Sequence, residues 1–99
     1  MLERWNMIKS FKDIETERVY LRLFSRKLPN SIQRIALKKL MMIDNAESLN
    51  DLQVPPANHL EVLSSKRKGQ HSIRINDQYR ICFRYENEDF YEVEITDYH

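Results

Sequence analysis

Glycine is nearly missing from this chain: Gly69 is the one example in 99 residues. Loops that cradle phosphate need several glycines so that backbone N–H groups can crowd round the anion, and this absence excludes nucleotide hydrolysis of that kind. Cysteine is as scarce. Cys82 alone cannot form an internal disulfide, and a lone thiol fits a reducing cytosol. No apolar run reaches membrane-spanning length and the N-terminus lacks the apolar block of a signal peptide, so the reading is of a soluble cytoplasmic protein with no membrane partner. A charge excess of either sign is lacking too, since 16 Lys and Arg stand against 15 Asp and Glu. Total charge therefore says nothing about nucleic acid; only its distribution can. Three scattered His and one Cys, with no ligand-spaced pair, argue against a metal site, and nothing in the chain asks for a cofactor.

What is present is organised around residues 72–85, Ser-Ile-Arg-Ile-Asn-Asp-Gln-Tyr-Arg-Ile-Cys-Phe-Arg-Tyr. Two strands joined by a tight turn at Asn76, Asp77 and Gln78 are expected, because Asn and Asp tolerate the backbone angles of such turns. Strand side chains alternate between faces. Tyr79, Ile81, Phe83 and Tyr85 then share a core face with Ile73 and Ile75, while Arg74, Arg80, Cys82 and Arg84 share a face expected to stay open.

At this length the chain is one domain over 1–99, with 1–6 reading as an extension before Met7. Residues 8–11 resemble a short strand. Asp13 is placed to cap a helix running through Val19 to Phe24, which Leu28-Pro29 breaks. Ser31 is placed to cap a second helix to Asn45 or Ala46, with Ile32, Ile35, Ala36, Leu40 and Ile43 at helical spacing. Arg34, Lys38 and Lys39 fall on its opposite side. Met41 and Met42 read as core filler rather than as an adaptable binding surface. One short helical turn is expected at 47–52, then an extended crossing at Pro55-Pro56. A strand at 59–63 follows, then a basic loop, the hairpin, and a last strand at 90–96. This order implies α+β: an antiparallel-rich sheet with two N-terminal helices packed on one face, the pairing of the first strand left open between antiparallel and mixed.

Basic residues cluster locally. Lys66, Arg67 and Lys68 precede the hairpin, whose second face presents Arg74, Arg80 and Arg84. Such a surface suits an RNA backbone, since each ion pair with phosphate releases counterions. The competing reading is a solvated cross-strand lattice in which Glu92 and Glu94 neutralise the arginines. His71 reads as structural or as a stacking group at the loop edge; His59 reads as a strand residue without an evident partner. The terminal Asp97-Tyr98-His99 follows a core strand directly, and imidazole, with a pKa of about 6.5, exchanges protons near neutral pH. An ordinary terminal histidine is the plain alternative. Together these groups suit metal-independent RNA cleavage, in which a base frees the ribose 2′-oxygen to attack phosphorus. An acid then protonates the leaving 5′-oxygen, and arginines stabilise the growing phosphoryl charge.

Three segments carry a resemblance: Met-Ile-Lys-Ser-Phe at 7–11, Gly-Gln-His-Ser-Ile-Arg-Ile-Asn-Asp-Gln-Tyr-Arg-Ile-Cys-Phe at 69–83, and the terminal Glu-Ile-Thr-Asp-Tyr-His. Over 7–99 the chain resembles the HigB toxins of the RelE/ParE superfamily. The resemblance implies the compact microbial RNase-like (RelE-like) fold, mRNA cleavage, commonly on the translating ribosome, and neutralisation by a HigA-type helix-turn-helix antitoxin. Operator DNA would be bound only through that antitoxin. Arg80 matches the family's catalytic arginine, and Asp97, Tyr98 and His99 match its C-terminal catalytic group. Lys66, Arg67, Lys68, Arg74, Arg84 and His71 are the candidate RNA contacts. Many members carry a lysine just after the leucine that matches Leu63, where this chain has Ser64-Ser65. A branch similar to the GraT toxin lacks it as well, and Lys66 or Lys68 is the candidate substitute. Two alternatives remain: a non-enzymatic ParE-like inhibitor of a protein target, and a degenerate toxin acting as a binding module. Strict alternation also puts Tyr98 on the arginine face but Asp97 and His99 on the other, so a kink near Thr96 is needed to unite them.

Overall fold

Residues 7–98 are described by the structure, a computed structural model; the extension at 1–6 and the terminal His99 lie outside them. The chain is α+β. Its helices are α1 (Ile14–Tyr20) and α2 (Asn30–Asn45), followed by short 3-10 turns and four strands: β1 (Glu61–Val62), β2 (Gln70–Arg74), β3 (Tyr79–Glu86) and β4 (Asp89–Asp97). The strands form one antiparallel sheet in the order β1-β2-β3-β4. Residues 8–11 do not form a full strand. Ile8 and Phe11 make isolated parallel bridges to Phe90 and Val93 of β4, which settles the open pairing as parallel.

One core joins the helices to one sheet face. Ile32, Ala36, Leu40 and Ile43 of α2 pack with Ile73, Ile81, Phe83 and Val93, all between 0 and 2% exposed. Met42 packs against this core and Met41 is half-buried, as filler would be. Buried polar residues fasten the layers. Asp44 accepts hydrogen bonds from the Ile8 N–H (3.1 Å) and the Tyr20 hydroxyl (2.7 Å), and the Thr16 hydroxyl accepts from the Ile95 N–H (2.9 Å).

Several boundaries differ from the expected ones for identifiable reasons. Asp13 does cap α1, its carboxylate accepting from the Thr16 N–H at 2.7 Å, but the helix ends before Leu21. There Arg22 turns left-handed (φ 64°), and the Arg22 and Leu23 N–H groups reach back to the Val19 and Arg18 carbonyls. This is the Schellman closure, here with arginine in the position glycine usually takes. Leu23 and Phe24 therefore stand outside the helix and exposed. Ser31 is not the cap of α2, because the helix starts one residue earlier, behind Pro29. Lys39 is not on the solvated side: it is buried and donates to Asn58 Oδ1. His59 is not in a strand either. It occupies a left-handed turn (φ 45°) that closes a 3-10 turn at Pro56–Asn58.

The hairpins follow their sequence closely. Asn76 Oδ1 accepts from the Gln78 and Tyr79 N–H groups (2.9 and 2.8 Å), an Asx turn that sets the β2–β3 register. Asn87 and Glu88, both at positive φ, make the tight β3–β4 turn. A bulge interrupts β4 at Glu92 (φ 52°), and the extra residue lets both Phe90 and Val93 point into the core.

Candidate active site on the polar sheet face

Residues paired directly across strands share a face, so the register assembles the second side of the sheet. Glu61, Ser72, Cys82 and Glu94 form one row over all four strands; Arg74, Arg80 and Thr96 form the next. This face was expected to be open. At its centre it is closed: Ser72 and Cys82 are 0% exposed and Arg80 8%. Burial pushes the Cys82 thiol pKa up, which keeps it protonated and inert.

Arg80 is held from three sides. Nε donates to Ser72 Oγ at 2.7 Å, Nη2 donates to the His59 carbonyl at 2.6 Å, and Nη2 lies 3.4 Å from Glu61 Oε1. Above the guanidinium sits the Tyr98 ring, 5.6 Å from Cζ to the centroid and within cation–π range. Nothing among the described residues accepts a hydrogen bond from Nη1. The guanidinium is thus fixed without being exhausted, since arginine carries five donors. The left-handed turn at His59 turns a carbonyl towards it, and β1 brings Glu61.

Beside this group lies a cleft of about 400 Å³ lined by Ser64, Ser65, Lys66, Arg67, Thr96, Asp97 and Tyr98. It joins the 3-10 turn Ser65–Arg67 to the end of β4. Lys66 is exposed there and enters no ion pair among the described residues. Arg67 is committed, donating through Nη1 to Glu94 Oε1 (3.0 Å) and Gln70 Oε1 (3.1 Å). Lys68 is exposed just beyond the turn and does not line the cleft. Asp97 accepts from Gln78 Nε2 at 3.0 Å, and the Tyr98 N–H donates to the Gln78 carbonyl at 2.7 Å, so the end of β4 is tied to the hairpin turn. Among the described residues no group of His, Cys, Asp or Glu is arranged to hold a metal ion.

Not every candidate meets here. Arg74 stands opposite Arg80 but is ion-paired with Asp77. Arg84 is four residues further along β3, roughly 13 Å away at strand rise, and pairs with Glu92 at 3.1 Å. His71 is on the other face, where it pairs across the strands with Phe83 and stacks on its ring at 6.1 Å; burial lowers its pKa. The position of His99 falls outside the described residues. The expected cross-strand lattice forms only in part: Glu92 pairs with Arg84, but Glu94 takes Arg67 of the preceding turn, Arg74 pairs with Asp77 within the hairpin turn and Arg80 with Glu61. Ser72, Glu61 and the His59 carbonyl were not anticipated as partners of Arg80. Alternation about the hairpin turn does put Ser72 on the arginine face, whereas the other two depend on a loop that crosses the sheet.

A family model described as the RelE-like toxin of type II toxin-antitoxin system HigB matches residues 9–99. The chain belongs to this HigB-like toxin family. Toxin HigB-1 of Vibrio cholerae is 42% identical over 60 residues, which cover 61% of this chain and 63% of that protein. An uncharacterized protein of Haemophilus influenzae is 46% identical over 63 residues, covering 64% and 62%. The matches thus span less than two thirds of the length of these curated relatives. Among solved structures, a chain of the YoeB-YefM complex from Staphylococcus aureus superposes with a TM-score of 0.60 at 21% identity, covering 98% of this chain and 99% of that one. At that identity the likeness is one of fold, and it supports the RelE-like architecture of the HigB-like chain. No helix among the described residues is long and apolar enough to cross a membrane.

Proposed function

We propose that this HigB-like chain is a metal-independent endoribonuclease that cleaves mRNA on the translating ribosome in the cytoplasm, and that a HigA-type antitoxin neutralises it. One observation carries the reading: Arg80 is immobilised by Ser72, the His59 carbonyl and Glu61, next to Thr96 and beneath Tyr98, two residues that line the cleft, with Nη1 still able to donate. A donor fixed before the reaction stabilises developing phosphoryl charge without reorganising, which is where such electrostatics are strongest.

In this mechanism the ribose 2′-oxygen, freed of its proton, attacks the adjacent phosphorus. Arg80 takes up the charge that grows on the phosphoryl oxygens. His99 is the proposed general acid or base and Asp97 its orienting partner. Tyr98, 45% exposed above the guanidinium, stacks on a base. Lys66, which lines the cleft beside Ser64 and Ser65, is the better placed of the two lysines to stand in for the lysine of related toxins. Arg67, Arg74 and Arg84 reach phosphate only by releasing their carboxylates, so they are proposed as weaker RNA contacts, with Lys68 at the rim. His71 serves the fold.

The second reading, a non-enzymatic inhibitor, draws on the ion-paired arginines. One experiment separates the two: expression of wild type, Arg80→Ala and His99→Ala with 5′-end mapping of cellular mRNA. Codon-phased ends from wild type alone support the nuclease. Growth arrest without new ends sinks it.

A further inference from the structure

The helix layer carries a second surface, on the side of the sheet away from Arg80. Ile14, Leu21, Leu23, Phe24 and Ile35 are each 42–67% exposed, although large apolar side chains normally seek cover. The connection that carries Leu23 and Phe24 is held in place by polar groups. Arg18 donates to the Phe24 carbonyl through Nε (3.1 Å) and Nη2 (2.8 Å). Gln33 donates through Nε2 to the Ser25 and Leu28 carbonyls (both 2.8 Å) and accepts from the Ser25 N–H (3.1 Å). The Ser25 hydroxyl, fully buried, is bound to Glu15 at 2.5 Å. The connection between α1 and α2 is therefore a built platform rather than a slack loop.

Two cavities flank Phe24. One, of about 260 Å³, is lined by Val19, Leu23, Leu37 and Phe24 with Arg22 and Arg34 among its walls. The other, of about 340 Å³, has Ile14 and Phe24 with Arg18, Arg26 and Lys27. None of the ion pairs among the described residues involves Arg22, Arg26, Lys27 or Arg34. Glu15, the carboxylate lining this region, is occupied by Ser25. Apolar sockets inside a cationic rim call for a partner that is apolar along one stripe and acidic on its flanks. An amphipathic helix meets both demands, since side chains at i and i+4 stand on one face.

We propose that this corner docks an acidic amphipathic helix of the cognate antitoxin, with apolar side chains entering the cavities beside Phe24 and carboxylates meeting Arg22, Arg26, Lys27 and Arg34. The proposal takes its partner from the toxin reading above but does not depend on RNA cleavage. Because the surface and the Arg80 cleft lie on opposite sides of the sheet, such an antitoxin leaves the cleft uncovered and acts by bulk.

The test is isothermal titration of the purified toxin with the antitoxin encoded beside it. Phe24→Glu and the double variant Arg22→Glu/Arg34→Glu are expected to lose at least about 30-fold in affinity, the size of an interface hot spot. The double variant changes exposed charges alone, so it reads the surface even if Phe24→Glu fails to fold. Both should stay toxic while escaping neutralisation, whereas Arg80→Ala, which loses any cleavage, should bind the antitoxin as wild type does. Wild-type affinity in the double variant overturns the proposal. So does loss of antitoxin binding on changing Lys66 and Arg80 instead, or loss of ribosome binding alone, which would assign the corner to RNA.

Discussion

Ser72 and Arg80 meet inside the sheet: a fully buried hydroxyl accepts from Nε at 2.7 Å, across the β2–β3 hairpin. The bond aims the guanidinium, because it fixes the plane in which the remaining N–H groups lie. Ser72→Ala is expected to lower kcat about tenfold, one hydrogen bond's worth of transition-state alignment, with KM nearly unchanged. A purely structural role would instead lower the melting temperature and leave kcat intact. Single-turnover cleavage of a model mRNA on ribosomes measures both parameters.

Arg80 itself should be the more severe site. Arg80→Ala is expected to cost on the order of 10²–10³ in cleavage rate, as loss of a preorganised oxyanion donor does. Arg80→Lys should recover little of it, since an ammonium cannot serve Ser72, the His59 carbonyl and a phosphoryl oxygen in one plane. The same ribosome assay decides this.

The Tyr98 ring, rather than its hydroxyl, faces the guanidinium. Tyr98→Phe is therefore expected to stay within about threefold of wild type, and Tyr98→Ala to lose about tenfold, the scale of one stacking contact. If the phenylalanine variant is as poor as the alanine one, the hydroxyl takes part in proton transfer and the stacking role is wrong.

Tyr20 makes stability depend on alkaline pH. Burial, together with its hydrogen bond to the Asp44 carboxylate, raises its pKa to about 12. Between pH 10 and 12 the unfolded chain ionises this phenol while the folded chain does not. The Tyr20 contribution to stability should accordingly be full below pH 10 and be lost as pH rises towards 12. Tyr20→Phe should flatten that decline and cost about 1.5–3 kcal/mol at pH 7, the range for a hydrogen bond to a charged group. Urea titrations at pH 7, 10 and 11.5 give the comparison.

His71 acts at the acid end. Burial lowers its pKa in the folded chain, so as pH falls through about 6.5 the unfolded chain takes up the proton first. Stability is expected to drop from pH 7 towards pH 5. His71→Phe, which keeps a ring against Phe83, should remove part of that slope; an identical slope in the two proteins would count against this assignment.

Much of the site was legible because strand alternation is a local rule. Ile73, Ile81 and Phe83 went to the core face, Arg80 to the other, and the Asn76 turn fell where Asn and Asp allow it. Arg80's burial was not legible. It depends on the 59–67 segment crossing the sheet, with His59 in a left-handed turn that its neighbours in sequence do not demand. His71, read as structural or as a stacking group at the loop edge, takes the structural place, since alternation from Ile73 sends it to the helix side against Phe83. Leu23 and Phe24 continued a helical pattern, yet the Schellman closure at Arg22 ended the helix ahead of them.

By itself the sequence determined the α+β class and the hairpin with its two faces, because periodicity is written within short stretches of chain; the toxin family was legible only through the likeness of three segments to known members. Only the tertiary structure decided what those faces touch. The bulge at Glu92 resets which residues of β4 point inward, and a crossing loop turns an exposed arginine into a clamped one. Both outcomes arise from hydrogen bonds between residues distant in sequence, such as the Ser10 hydroxyl with the Glu92 N–H and the His59 carbonyl with Arg80, and no local pattern encodes such partners.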